Sequence, residues 1–158
     1  MSEELRYFVP QLESILSNLE NLRLALMDLI TQIRRRARTG IEIDKNLLDT
    51  LFDTYYILLI KVQALHRQWV IEPYIARGIP PETPPETIVE EIVLKLFEFT
   101  KEYEKVVMKF NRASDDEKID MLKSLISSIK KYEKEISDLI TDLSIAVSEK
   151  EELEIEFT

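Results

Sequence analysis

The sequence predicts an all-α fold: a long-helix antiparallel four-helix bundle, coiled-coil-like, in up-down-up-down order. Three observations carry this expectation. Apolar residues recur at alternating spacings of three and four through four long stretches, the signature of one buried helix face. Only two glycines and six prolines occur in 158 residues, too few for a turn-rich β protein. The connections after the first and third stretches are short, which favours antiparallel neighbours. Two long helical hairpins that dimerise are the structural alternative.

The first predicted helix runs from about Glu3 to Arg38. Leu5, Leu12, Leu19, Leu26 and Ile33 recur every seven residues, and Phe8, Ile15, Leu22 and Leu29 fall three positions after the first four. Val9, Leu16 and Ile30 widen that seam to the breadth a bundle core needs. Pro10 lacks an amide hydrogen, so the helix is expected to start near Val9 or to kink there. Thr39-Gly40 closes it, with glycine in the left-handed position.

Asp44 is placed to cap the second helix, about Lys45 to Glu72, by accepting from free amides. Its seam reads Leu48, Leu51, Tyr55, Leu58, Val62, Leu65 and Trp69. Tyr56, Ile57, Ile60, Val70 and Ile71 lie off that seam as a second apolar stripe, interrupted by Gln63 and Arg67. Pro73 is expected to end or kink the helix. Residues 76–85 hold most of the breakers and repeat Pro-Pro-Glu-Thr, which predicts a stiff crossover. Thr83-Pro84-Pro85-Glu86 matches a capping box with proline at the first helical position.

The third helix, about Pro84 to Arg112, has the seam Val89, Ile92, Leu96, Phe99, Tyr103, Val106 and Phe110, with Glu91 and Lys95 spaced as an ion pair. Ser114 to Glu117 forms a second capping box. The fourth helix then runs to about Ser148 through Leu122, Leu125, Ile129, Tyr132, Ile136, Leu139, Leu143 and Ala146. In residues 149–158, Leu153, Ile155 and Phe157 alternate with acids, and glutamates sit where a helix end prefers cations. The expectation is one helical domain over 1–148 and a short extended acidic tail.

Charge and composition narrow the function. The net charge is −9, and residues 114–158 carry −7 of it, with six basic and thirteen acidic groups. Overall acidity opposes broad nucleic-acid binding but leaves room for a local basic patch. The absence of cysteine excludes disulfides, thiolate metal sites and thiol catalysis. The Glu- and Lys-rich composition resembles that of thermophile surfaces. The acidic start is unlike a signal peptide, and no apolar run approaches the ~20 residues of a membrane span. A cytoplasmic protein without membrane contact is expected.

No chemistry-bearing motif can be assembled. There is no glycine-rich phosphate loop, nucleophile elbow or His-bearing triad. The Glu-x-x-His pairs of di-iron bundles and the Arg-x4–6-His pattern of helical-bundle RNases are missing. His66, the sole histidine, reads as a half-buried packing residue beside Leu65. No cofactor is expected.

Two surfaces remain. Tyr56, Ile57, Ile60 and Ile71 are surplus to the core and form the candidate protein interface. Burying three or four such side chains contributes ~5–8 kcal/mol before association costs, enough for a modest dimer. The second surface is a basic pole of Arg34, Arg35, Arg36 and Arg38, joined by Lys109 and Arg112 where the first and third helices end. It could touch phosphate, or serve the helix dipole and pair with Glu42, Asp44, Asp115 and Asp116. The expected function is a non-enzymatic interaction module: an adaptor, scaffold or accessory subunit that dimerises, or meets a protein partner, through the second helix. The alternative is an accessory subunit of a nucleic-acid-processing or nucleoprotein complex, touching phosphate through the basic pole.

Overall fold

A computed structural model describes residues 2–77 and 84–156, with the side chains of 7–76, 86–149, 151–153 and 155. Every extended element among them is helical. The helices are α1 (Ser2–Thr39), α2 (Lys45–His66), α3 (Glu72–Arg77), α4 (Pro84–Phe110) and α5 (Asp115–Glu156). A π-helical turn, Arg67–Ile71, joins α2 to α3 without a break.

The ends follow local chemistry. Gly40 takes φ 72° and its amide donates to the Arg36 carbonyl at 2.9 Å, a backbone geometry that suits glycine. Asp44 accepts from the Asn46 amide at 2.9 Å and starts α2. Ser114 and Glu117 exchange side-chain-to-backbone hydrogen bonds at 3.2 and 3.3 Å, the reciprocal capping box that opens α5. Gln32 adds a tether: buried on α1, its carbonyl accepts from the Asp44 amide at 2.7 Å and holds the 40–44 connection against the helix.

One apolar core collects the four seams. All nine first-helix seam positions but Leu5, whose side chain lies outside the described residues, are buried. α1 packs on α2 and α5, and α4 packs on the same two. Against α5, paired residues ascend on one helix as they descend on the other. Arg36 meets Asp115 at 2.8 Å and Arg23 meets Glu133 at 3.2 Å between α1 and α5. Ser128 donates to Glu102 at 2.7 Å, and Lys95 reaches Glu135 at 3.2 Å, between α4 and α5. Lys61 donates to Ser14 at 3.0 Å between α2 and α1, and Tyr55 stacks on Tyr103 at 4.0 Å between α2 and α4.

Four expectations need correction. The extended tail is helical through Glu156. No glycine or proline follows Pro85, and Glu, Lys and Leu propagate a helix once it has formed, so three alternating apolar residues do not halt it. Phe157 and Thr158 lie outside the described residues. Of the two outcomes expected at Pro73, an end does not occur: the helix continues through a π turn, in which the Glu72 amide donates to Arg67, five residues back, and such a turn is where helices kink. Proline lacks an amide hydrogen and its ring crowds the carbonyl four residues back, and the wider turn lies just before it. Likewise α1 passes through Pro10 from Ser2, so of the start near Val9 and the kink expected there the start does not occur. Finally, Leu48 is exposed and Leu47 takes its core place. A straight helix drifts ~20° per heptad against a seven-residue repeat, so a seam extended back from Trp69 rotates off the core. The crossover at 76–85 is described only at its edges: Ala76 and Arg77 end α3, Pro84 and Pro85 start α4, and 78–83 lie outside the described residues.

Candidate functional site: the outer face of the second helix

The inward face of α2 is committed to the core. Leu47, Leu51, Leu58, Val62 and Leu65 are buried, and Tyr55 is fastened at its edge. The Tyr55 hydroxyl reaches the Thr100 carbonyl and Glu104, both at 3.1 Å. Burial, and then the negative charge of Glu104, push its phenol well above the ordinary range. On α4, burial raises Tyr103 from 10.0 to about 12. These contacts fix the rotation of α2, and with it what the opposite side presents.

That opposite side sets large apolar side chains among the charged and polar Asp49, Asp53, Gln63 and Arg67, all exposed. Tyr56, Ile57, Ile60 and Ile71 are 53%, 49%, 48% and 42% exposed, so all four residues expected to be surplus to the core lie outside it. The face is broader than periodicity indicated. Phe52 is 71% exposed and stacks on Tyr56 with ring centroids 6.1 Å apart and planes 6° from parallel. Leu48, Phe52, Tyr56 and Ile60 stand at every fourth position and form one ridge. Tyr74 and Ile75 on α3 are exposed as well. Eight of the eighteen exposed large apolar side chains among the described residues fall between 48 and 75. Single exposed apolar residues are ordinary; a concentration along one helix marks a contact surface.

Phe52 escaped the sequence reading because it lies outside both the inferred seam and the second apolar stripe. Its i,i+4 relation to Leu48 and Tyr56 was the available signal. Leu48 and Val107 also edge an apolar cleft of about 160 Å³, which Leu26, Leu29, Leu51, Tyr103 and Leu122 line from all four long helices.

The second expected surface is differently built. Arg34, Arg38, Lys109 and Arg112 are exposed; Arg35 and Arg36 are half-buried. Arg36 is held by Asp115, and Arg35 donates to the Glu42 carbonyl at 3.4 Å. Arg34 and Arg38 share a shallow depression with Asp115, Asp116 and Asp120 from the first turns of α5. Opposite charges are therefore interleaved where the arginines cluster. α1 and α4 lie diagonally across the bundle; Lys109 stands in the last turn of α4 and Arg112 in the connection that leads to α5. His66 stacks on Phe97 at 4.3 Å as a half-buried packing residue. Among the described residues no three His, Asp or Glu side chains are grouped to hold a metal ion, and no helix is long and apolar enough to cross a membrane.

No protein-family model, curated protein or solved structure matches the chain.

Proposed function

We propose that the chain is a non-enzymatic interaction module, an adaptor, scaffold or accessory subunit, that associates through the outer face of α2. One observation carries this reading: the apolar ridge from Leu48 to Ile60, continued by Ile71, Tyr74 and Ile75, is exposed while the opposite face of the same helix is buried in the core. A solvated helix with no second role would carry polar residues there, as α5 does at Lys123, Ser127, Lys130, Lys134, Asp138 and Thr141.

The supporting frame in this reading is an antiparallel four-helix bundle of up-down-up-down order. The opposed residue order along both interfaces with α5 supports it, as do the short connections at 40–44 and 111–114. At the other candidate surface Arg36 is paired with Asp115, Arg35 donates to the Glu42 carbonyl, and acids from the start of α5 lie beside Arg34 and Arg38.

The test is the variant Ile57→Glu with Ile60→Glu. Both residues are half exposed and neither belongs to the core, so the variant is expected to keep its helicity and lose its association. An unchanged solution mass, in a variant whose circular dichroism is also unchanged, rules this face out.

A further inference from the structure

We infer that the occupant of the α2 face is a second copy of the same chain, with the two α2 helices antiparallel about a two-fold axis passing between Tyr56 and Ile60. This rests on the self-association reading above and adds the partner and the geometry. The observation that selects them is the placement of charge on the apolar face. Asp49 and Arg67 are both exposed and stand eighteen residues apart. Arg67 directly follows the last residue of α2 and keeps helical geometry, its amide donating to Gln63 and Ala64; eighteen residues at 3.6 per turn are about five full turns, so the two charges share one azimuth at opposite ends of the helix. The same azimuth falls between those of Tyr56 and Ile60, on the outward face.

The midpoint of Asp49 and Arg67 is position 58, which is also the midpoint of Tyr56 and Ile60. A two-fold axis at that point sets Tyr56 of each copy against Ile60 of the other. It also sets Asp49 of each copy against Arg67 of the other. Two-fold symmetry requires such reciprocity, since a residue that meets a second residue is met by it in turn. A parallel pairing would instead oppose Asp49 to Asp49 and Arg67 to Arg67 around the same apolar ridge. At a shallow crossing of about 20° the ends of the two helices stay within reach of an arginine arm. Arg67 already engages Glu72 through Nε at 3.3 Å, and its guanidinium has further donors for a second carboxylate.

The experiment measures the dimer dissociation constant by sedimentation equilibrium at low salt for the full chain and four variants. Asp49→Arg and Arg67→Asp are each expected to weaken the dimer about tenfold, because each places like charges together twice per dimer. The double variant Asp49→Arg with Arg67→Asp is expected to restore it. Ile57→Glu with Ile60→Glu is expected to abolish it. If the unmodified chain dimerises but the single reversals leave the constant unchanged, or the double reversal is no tighter than the weaker single one, this geometry is overturned while the self-association reading stands. If the unmodified chain is monomeric throughout, both fail. The chain has no cysteine, so single spin labels at Gln63→Cys and Lys45→Cys give an independent reading should a reversal variant misfold. The antiparallel pair predicts separations along the helix of about 15 Å and about 40 Å. Equal separations at the two sites would establish the parallel arrangement and contradict the inference.

Discussion

Single side chains set how far each helix runs and which way it faces. Ser114→Ala removes the hydroxyl that accepts from the Glu117 amide and is expected to cost about 1 kcal/mol in urea unfolding. Leu58→Ala empties a fully buried position on the α2 seam and is expected to cost about 2–5 kcal/mol. A loss under ~1 kcal/mol there would contradict the assignment of the inward face. Tyr103 supplies a pH prediction. Its phenol is raised from 10.0 to about 12 by burial, so the folded state holds that proton more tightly than the unfolded chain does. The stabilisation is complete below pH 10.0 and is lost as pH rises towards about 12. Tyr132 moves the same way, to about 12, through burial and then through Glu98, Glu102 and Glu135. Urea midpoints taken across that interval should fall, and Tyr103→Phe should flatten the fall. A midpoint that holds steady to about pH 12 would show that these phenols are not kept neutral by the fold.

Among the elements, the helices with complete local signals were legible from residues alone, and the misreadings have physical causes. The caps at Asp44 and Ser114 and the stop at Gly40 use chemistry contained within four residues, so they can be read directly. Seam residues such as Ile15, Ile92 and Ile129 follow from periodicity because each helix buries one face. Leu48 was misplaced because a heptad extended over three repeats drifts against a straight helix. At Pro73 the local rule for proline leaves an end or a kink open and does not foresee the wider turn Arg67–Ile71 through which the helix continues. Gln32 was overlooked because its partner, the Asp44 amide, belongs to a connection whose path only the fold sets. The helical continuation through 149–156 carries its own prediction. Backbone carbon chemical shifts at Glu151, Glu152 and Leu153 should be helical, and extended-strand shifts would restore the tail.

For the molecule as a whole, the functional surface was only half legible. Tyr56, Ile57, Ile60 and Ile71 stood out because they form a second apolar stripe on a helix that has one core to serve. Phe52, the ridge it forms with Leu48 and Tyr56, and the continuation onto α3 required knowing how α2 is rotated. That rotation is fixed by contacts between helices, such as Tyr55 on Tyr103 and His66 on Phe97. The basic pole shows the converse. Arg34, Arg35, Arg36 and Arg38 form a cationic run in sequence, yet the fold brings the acidic first turn of α5 beside them. The same arrangement that sets acids among the arginines leaves the α2 face open, and the proposal turns on whether a second chain covers it. Light scattering of the unmodified protein at high micromolar concentration tests this most directly. The account predicts twice the chain mass of 18.6 kDa, falling towards a single chain on dilution; a mass of 18.6 kDa throughout would contradict it.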